Sequence, residues 1–437
     1  MKRKVYDELL KWKENAIESP LMIIGARQVG KTYIIKEFCK KEFERYVYID
    51  LLEDENIVEL FKRPISLTEK MSLLKAIIKN TKNINIDYSS DVLVIDEIQE
   101  SEELISSLKQ LKESDIPYKI LCAGSLLGVK LKRMSKPFPV GKSEMIYMYP
   151  MDFEEFLWET MGKEIVDMIY EHAKTNEPLV DTIHEELLSL YRLYLCVGGM
   201  PECVDNILKM NKDVVSFDKK IPKKITEGYA KDMSRYVKDE TETIRIEKLY
   251  KSIPSQIGNK ANKFQYAKID RNARKTNYET ALSWLESSMI VTKVCYINPS
   301  EIPPEVYKDE DVFKLYVSDV GLLNSLAFMN LSDIILDNGF VFKGNITENY
   351  VCNQLKINFE NLYYWKSDNL SEVDFIIYNN DGVIPIEVKA GNKVQSKSLN
   401  IYIEKYKPKY AIRLSAKNFG YDNNIKSVPL YAAFTIR

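Results

Sequence analysis

The sequence predicts an α/β protein of about three domains, and two observations support this prediction. Its 437 residues are enough for three domains of roughly 100–200 residues each. In the first part of the chain, short β-branched runs alternate with longer segments of helical spacing, which is typical of a parallel sheet covered by helices. The overall charge is nearly balanced, at 62 Lys and Arg against 64 Asp and Glu, but its distribution is uneven.

The composition excludes several classes of protein. Hydrophobic residues make up 45% and charged residues 29% of the chain, as in ordinary folded proteins. The basic N-terminal segment has no apolar core and does not predict a signal peptide. The apolar runs are too short to cross a bilayer, and six scattered cysteines with two histidines do not predict a zinc site. We expect a cytoplasmic protein without a membrane partner.

Four apolar runs in the first part of the chain predict buried strands. They read PLMIIG, YVYIDL, DVLVIDE and YKILCAGS. Segments such as YIIKEFCKKEF and SEELISSLKQLKES lie between them and have helical spacing. Strands and helices in alternation indicate a parallel sheet with both faces covered.

The segment GARQVGKT matches the phosphate-binding pattern G-x-x-x-x-G-K-[ST]. It follows a predicted strand and opens a predicted helix, which is the context that the pattern requires. Its backbone N–H groups and the helix N-terminus would surround phosphate oxygens. ATP and Mg²⁺ are the expected cofactors. The predicted nucleotide-binding residues are Gly25, Ala26, Arg27, Gln28, Val29, Gly30, Lys31 and Thr32.

The strand VLVI ends in the acid pair Asp96 and Glu97, about 65 residues after the glycine-rich loop. Open α/β sheets bind ligands at the carboxyl ends of their strands. We expect Thr32 and Asp96 to hold Mg²⁺ and Glu97 to polarise the attacking water. Ser125 could sense the γ-phosphate or cap a helix. The predicted catalytic residues are Lys31, Asp96, Glu97 and Ser125. The candidates for an arginine finger are Arg133, Arg192 and Arg235.

The middle of the chain is basic. Residues 211–277 contain 17 Lys and Arg against 9 Asp and Glu. Helices are predicted at Leu249–Ile257, at Tyr266–Asn272 and from Thr276 or Asn277 onward, and the strand IVTKVCYI follows. Three helices with a β-ribbon indicate a winged helix-turn-helix.

This segment offers candidate contacts with DNA. Lysines and arginines there would neutralise phosphates, and residues early on the third helix, among them Tyr278 and Thr280, could reach base edges. Alternatively, the winged helix contacts a protein partner or serves as a rigid lever. The predicted DNA-binding residues are Lys263, Lys268, Arg271, Arg274, Lys275 and Asn277.

Two predicted strands near the C-terminus carry carboxylates on either side of the turn signal NNDG. If the turn is Asn380-Asp381, Asp374 faces Glu387, whereas if it is Asp381-Gly382, Asp374 faces Lys389. Both registers cluster the three side chains.

The spacing D-x(12)-E-x-K resembles that of PD-(D/E)XK nucleases, in which two carboxylates hold Mg²⁺ and the lysine acts on the attacking water. Glu348, on the preceding predicted helix, could add a ligand or brace the site. The predicted nuclease-site residues are Glu348, Asp374, Glu387 and Lys389. A structural charge cluster, or a fold that has lost cleavage, is the alternative.

Across nearly its whole length, the chain resembles prokaryotic AAA-type ATPases that carry a C-terminal domain of unknown function with a restriction-endonuclease-like core. The matching stretches are GARQVGKT, VIDEIQE, AGSLLGV, FPVGKSEMIYMYPMDFEEFL, YLCVGGMPE, GNITENYV, EVDFII and PIEVKA. The resemblance implies a P-loop NTPase domain, a winged helix and a nuclease-like α/β domain. Related members can carry Arg where this chain has Lys142.

We therefore predict an ATPase domain at 1–205, a helical linker with a winged helix at 206–330 and a nuclease-like domain at 331–437. The predicted function is ATP hydrolysis that controls DNA binding and a nuclease-like domain. The alternative is a nucleotide-dependent regulatory or scaffolding protein that does not cleave DNA. Assembly into oligomers is compatible with the resemblance.

Overall fold

The structure is a computed structural model, which describes residues 1–15, 19–116, 118–133, 143–237, 239–258, 263–337, 339, 341–367, 371–391 and 397–437. The chain forms two compact units. The first comprises Met1–Tyr149 and Ser287–Met289, and the second comprises Pro150–Glu286 and Ile290–Arg437. The predicted boundaries at 205 and 330 both lie within the second unit, and the division into three domains stays a prediction. No helix in the described ranges is long and apolar enough to span a bilayer.

The first unit alternates strands with helices, as predicted. Its strands are β1 (Leu21–Ile24), β2 (Tyr46–Asp50), β3 (Val92–Asp96), β4 (Lys119–Gly124) and β5 (Glu144–Tyr147). Its helices are α1 (Val5–Glu14), α2 (Lys31–Glu42), α3 (Glu55–Lys62), α4 (Leu67–Lys82), α5 (Glu102–Lys112) and α6 (Leu127–Arg133). The four predicted strands correspond to β1–β4.

All five strands of this sheet are parallel and lie in the order β2-β3-β4-β1-β5. Every residue of β1 and β3 is buried, because helices cover both faces of a parallel sheet. In β2, burial alternates along the strand, so Tyr46, Tyr48 and Asp50 point away from the core. The α/β fold with a parallel sheet is thus confirmed for the N-terminal unit.

The second unit begins with helices and ends with a mixed sheet. Its helices are α7 (Phe153–Thr160), α8 (Lys163–Thr175), α9 (Asp181–Val197), α10 (Pro201–Lys209), α11 (Lys220–Tyr236), α12 (Glu240–Ile257), α13 (Lys275–Ser287), α14 (Val320–Leu326), α15 (Leu331–Ile335), α16 (Lys343–Asn358) and α17 (Lys397–Tyr406). Its strands are β6 (Val291–Ile297), β7 (Lys308–Val317), β8 (Tyr363–Lys366), β9 (Glu372–Asn379), β10 (Gly382–Val388), β11 (Ala411–Ser415), β12 (Gly420–Asp422) and β13 (Ile425–Pro429).

These eight strands form one sheet in the order β12-β13-β11-β10-β9-β8-β6-β7. The ribbon β6–β7 was predicted as the wing of a separate module, yet β6 pairs in parallel with β8 at Cys295 and Tyr363. The ribbon and the C-terminal strands therefore share one sheet. The assignment of a winged helix stays a prediction.

One predicted helix of the basic segment is wrong. Residues 266–272 form only a 3₁₀ turn at Tyr266–Lys268, because the Asp270 side chain accepts the backbone N–H of Asn272 and favours a turn over a helix. The first helix of the segment is longer than predicted and begins at Glu240.

The β9–β10 hairpin has the first of the two predicted registers. Gly382 pairs with Asn379, and Ile386 pairs with Phe375, so Asn380-Asp381 is the turn. Extending this register by one residue places Asp374 opposite Glu387, and the Val388 N–H donates to Asp374 Oδ2 at 2.7 Å.

Asp319 ties together two parts of the second unit that are distant in sequence. Its buried carboxylate accepts the N–H groups of Gly199, at 2.6 Å, and Leu322, at 2.9 Å. A Cβ atom at Gly198, which has φ +73°, would lie 2.3 Å from Asp319 Oδ1. In the stretch YLCVGGMPE, Gly198 thus leaves room for this carboxylate, whereas a Cβ atom at Gly199 would lie 1.8 Å from the carbonyl oxygen of Met151.

Replacement of Asp319 by alanine is expected to destabilise the protein by about 2–5 kcal/mol, because it leaves buried N–H groups without an acceptor. Urea unfolding measures this loss. Asp205→Ala is the matched control, since Asp205 forms an exposed ion pair with Lys209, the loss of which should cost less than about 1 kcal/mol. Equal losses in the two variants would contradict the proposed tie.

Candidate functional site

The loop between β1 and α2 has the backbone geometry of a phosphate cradle. Gly30 has φ +96°, in the left-handed region, directly before the helix begins. A Cβ atom at Gly25 would lie 2.3 Å from the carbonyl oxygen of Met148. Val29 is buried, and its carbonyl accepts a 2.7 Å hydrogen bond from Arg3 Nη1. Glycine is therefore required at both ends of the loop, and Arg3 braces its outer side.

Lys31 lies under this loop and is only 6% exposed. Its ammonium donates to the carbonyl oxygens of Gly25, at 2.9 Å, and Ala26, at 2.7 Å. Burial lowers the pKa of Lys31 to about 8, against the opposing effect of the carboxylates of Glu97 and Asp96. The lysine and the acid pair, which are about 65 residues apart in sequence, thus lie within electrostatic reach of each other.

Asp96 is buried at the carboxyl end of β3. Its Oδ2 accepts two hydrogen bonds, from Thr32 Oγ1 at 2.6 Å and from the Tyr48 hydroxyl at 2.8 Å. Burial, followed by the Asp96 charge, raises the pKa of Tyr48 well above its usual value, so this hydroxyl remains a donor. The two predicted magnesium ligands are therefore in direct contact.

Glu97 follows in a left-handed conformation, with φ +52°. Its two carboxylate oxygens lie 3.1 and 3.0 Å from Ser125 Oγ, at the end of β4. Gln99 Nε2 donates to Glu97 Oε2 at 2.5 Å. The structure therefore brings together Lys31, Thr32, Asp96, Glu97 and Ser125 at one edge of the sheet.

Three residues of this site were missed from the sequence. Tyr48 contacts Asp96, Gln99 contacts Glu97, and Asp50 is the β2 neighbour of Asp96 in the parallel register. Burial raises the pKa of Asp50. A signal was present for Tyr48 and Asp50, since alternation along YVYID places both on the same face at the strand end.

The other residues predicted for the nucleotide site are two residues of the phosphate loop and the candidate arginine fingers. Arg27 is partly exposed and Gln28 is exposed. Of the candidate fingers, Arg192 donates to Ser189 Oγ at 3.1 Å, and the Arg235 guanidinium lies 5.3 Å from the Tyr236 ring centroid. The side chain of Arg133 and all of Lys142 lie outside the described residues. Assignment of a finger stays a prediction.

The basic segment presents its predicted side chains to solvent. Lys275 forms an ion pair with Asp311, and Lys268 Nζ donates to the Ser255 carbonyl at 3.0 Å. Tyr278 is 5% exposed, so the expectation that it can reach bases is wrong, because its ring packs inward near Tyr266. The predicted DNA-binding residues that are exposed are Lys263, Lys268, Arg271, Arg274, Lys275 and Asn277.

The four residues of the predicted nuclease site lie in one region of the second unit. The Lys389 ammonium donates to Glu387 Oε1, whereas Glu387 Oε2 is buried without a partner among the described residues. Burial raises the pKa of Asp374 well above its usual value, and the charges of Glu387 and Glu348 add to this effect.

Glu348 has other partners. It accepts hydrogen bonds from the Tyr316 hydroxyl and, at 2.8 Å, from Lys314 Nζ. Lys314 is 8% exposed and also pairs with Glu372 at 2.6 Å. Sequence reasoning missed Lys314, although it is a lone charge in the otherwise apolar run VFKLYV. Glu348 is therefore neutralised by a buried lysine next to the carboxylate pair.

Comparison with known families agrees with the geometry of the first unit. Residues 18–157 match a family model described as an AAA domain. This part of the chain is therefore similar to AAA domains. Two further models match downstream, described as Domain of unknown function (DUF8612) over residues 188–333 and Domain of unknown function (DUF4143) over residues 343–433.

Three proteins with detectable similarity to this chain come from archaea. An uncharacterized protein of Methanocaldococcus jannaschii is 27% identical over 372 residues, which cover 82% of this chain and 71% of the relative. A Walker-type ATPase of Pyrococcus abyssi is 16% identical, with a TM-score of 0.43 over 75% of this chain and 95% of its own. The ORC2 protein of Aeropyrum pernix, in ADPNP-ADP complexes, is 14% identical, with a TM-score of 0.38 over 77% of this chain and 94% of its own.

Lys31→Met is expected to weaken ATP binding at least tenfold, because it removes the charge that faces phosphate and keeps the side-chain volume. Since burial lowers the pKa of Lys31 to about 8, the folded protein binds fewer protons than the unfolded chain between pH 8 and the ordinary value of 10.5. The unfolding free energy of the wild type should therefore rise with pH over this range, relative to that of the variant, by up to about 3 kcal/mol.

Calorimetric titration with ATP and urea unfolding at several pH values measure the two effects. Lys40→Met, at an exposed position of the same helix, should change neither. A variant that binds ATP like the wild type would refute the assignment of Lys31.

Proposed function

We propose that the AAA-type domain hydrolyses ATP with Mg²⁺ and that its nucleotide state controls DNA binding and nuclease-like activity in the second unit. The main observation in support of this proposal is the hydrogen bond from Thr32 Oγ1 to Asp96 Oδ2, at 2.6 Å. A hydroxyl and a carboxylate at this distance fit the hard, oxygen-preferring Mg²⁺ ion. Thr32 and Asp96 would hold Mg²⁺, which would offset the negative charge of the phosphates.

Four residues of the site would have separate roles in ATP hydrolysis. The Lys31 ammonium faces the phosphate cradle and offsets negative charge there. The Tyr48 hydroxyl donates to Asp96 and orients it toward Thr32. The Glu97 carboxylate accepts the proton of the attacking water, and the Ser125 hydroxyl holds that carboxylate at the strand edge.

Glu97→Gln is expected to lower kcat for ATP hydrolysis by a factor of about 10²–10⁴, because the amide cannot accept the proton. ATP affinity should change little, since Lys31 and Thr32 are untouched. Phosphate release and calorimetric binding measure the two quantities. Glu100→Gln, in the same turn, is the matched control. A Glu97→Gln protein that keeps the wild-type kcat would contradict the proposed role.

DNA is the proposed partner of the exposed basic segment. Within residues 251–275, seven Lys and Arg stand against one acidic residue, and the predicted contact residues are exposed around the start of α13. When Lys and Arg side chains neutralise DNA phosphates, bound counterions are released, and this release provides affinity that does not depend on the DNA sequence. A protein contact through the same face is the alternative.

A double variant in which glutamine replaces both Arg271 and Arg274 should bind DNA with a weaker salt dependence. The slope of log affinity against log salt should become shallower by about 1.8, which is roughly 0.9 for each DNA phosphate that the variant no longer neutralises. Fluorescence anisotropy with duplex DNA at several salt concentrations measures this slope. The exposed pair Lys174→Gln and Lys209→Gln is the control for net charge. An equal change in both double variants would mean that DNA binding is not localised to this face.

Metal-dependent cleavage of nucleic acid is the proposed activity of the β9–β10 hairpin. Among the described residues, no group of three or more His, Cys, Asp and Glu is arranged to hold a metal ion. The pair Asp374 and Glu387 nevertheless fits Mg²⁺, which takes one or two carboxylates and completes its shell with water and phosphate. Glu387 Oε2, which has no hydrogen-bond partner among the described residues, would supply a donor atom, and Lys389 would act on a water.

One observation favours a second candidate function. Lys314 already neutralises Glu348 and Glu372, so part of the acidic cluster is balanced without a metal. A regulatory or scaffolding protein that retains the nuclease-like fold without cleavage would have this arrangement. A cleavage assay separates the two candidates.

The wild type is expected to nick DNA in the presence of Mg²⁺ or Mn²⁺. Asp374→Asn should abolish nicking, because it removes a proposed metal ligand. Asp381→Asn, in the exposed hairpin turn, should cut like the wild type. Gel analysis of supercoiled and single-stranded substrates measures cleavage. Absence of nicking by the wild type with both metals would favour the regulatory candidate.

A further inference from the structure

The Glu97 carboxylate is held by two donors rather than one. Ser125 Oγ lies almost equally far from both of its oxygens, at 3.1 and 3.0 Å, and its single proton can serve only one of them at a time. Gln99 Nε2 donates to Oε2 alone. Since Gln99 engages Oε2, Oε1 is left with the greater capacity to accept a proton from water.

Gln99 is held in this position by the neighbouring strand. It is 3% exposed and follows Glu97 by two residues in the short 3₁₀ turn Ile98–Glu100. A Cβ atom at Gly124 would lie 2.4 Å from Gln99 Oε1. The glutamine amide thus packs directly over the bare backbone at the end of β4, and this contact requires glycine at position 124.

Stability alone does not account for a glutamine at this position. Its Oε1 is buried and has no hydrogen-bond partner among the described residues. An unsatisfied buried carbonyl costs roughly 1–3 kcal/mol, and an unbranched apolar side chain of similar size would avoid that cost. Local costs of this kind are typical of functional positions.

We propose that Gln99 is a positioning residue for ATP hydrolysis, which directs Oε1 of the Glu97 carboxylate toward the attacking water by binding Oε2. The proposal rests on the proposed hydrolysis of ATP. Gln99 contacts neither the phosphate loop nor Thr32 among the described hydrogen bonds. A substitution of Gln99 should therefore slow the chemical step and leave nucleotide binding unchanged.

Gln99→Met tests this proposal, because methionine keeps the length and volume of the side chain and removes the amide. We expect kcat to fall by about 10–100-fold and calorimetric ATP affinity to stay within about threefold of the wild type. Resistance to urea should be equal or higher, since the unsatisfied oxygen is gone. Gln110→Met, at an exposed position of α5, is the matched control and should match the wild type in all three measurements.

A second comparison separates positioning from a structural effect. On a Glu97→Gln background, Gln99→Met should cause no further loss of kcat, because the residue through which Gln99 acts is already inactive. The proposal is overturned if Gln99→Met keeps the wild-type kcat, if ATP affinity and stability fall together with kcat, or if the losses of the two variants multiply. A wild type that binds ATP without releasing phosphate would instead refute hydrolysis itself, before any variant is compared.

Discussion

The parallel direction of the five strands in the first unit is the constraint on which the nucleotide site depends. Because all strands run the same way, their carboxyl ends meet at one edge. β1 delivers the phosphate loop there, β3 delivers Asp96 and Glu97, and β4 delivers Ser125. Burial at this edge lowers the pKa of Lys31 to about 8, so the site concentrates opposite charges where water is scarce and each charge has a large effect.

The second unit obeys a different constraint, which is the continuity of its mixed sheet. Since β6 pairs with β8, the basic segment and the acidic hairpin belong to one folded body. A cleft in this unit is lined by Gln256, Lys263, Lys314 and Glu348.

Buried charge is handled differently in the two units. At the nucleotide site, Oδ2 of the Asp96 carboxylate accepts hydrogen bonds from the hydroxyls of Thr32 and Tyr48. In the acidic cluster, Lys314 is shared between two glutamates, while Glu387 Oε2 remains without a partner among the described residues.

The sequence by itself determined the local features of this protein. The phosphate loop, the acid pair, strands β1–β4 and the turn signal of the β9–β10 hairpin could be predicted because each depends on residues close in the chain. The sequence left two hairpin registers open and predicted a helix at 266–272, where a single Asp270 side chain favours a turn. Only the tertiary structure decided which distant side chains meet. The contacts of Tyr48 with Asp96, of Gln99 with Gly124 and of Lys314 with two glutamates depend on strand order and on packing between segments far apart in sequence, which local patterns do not specify.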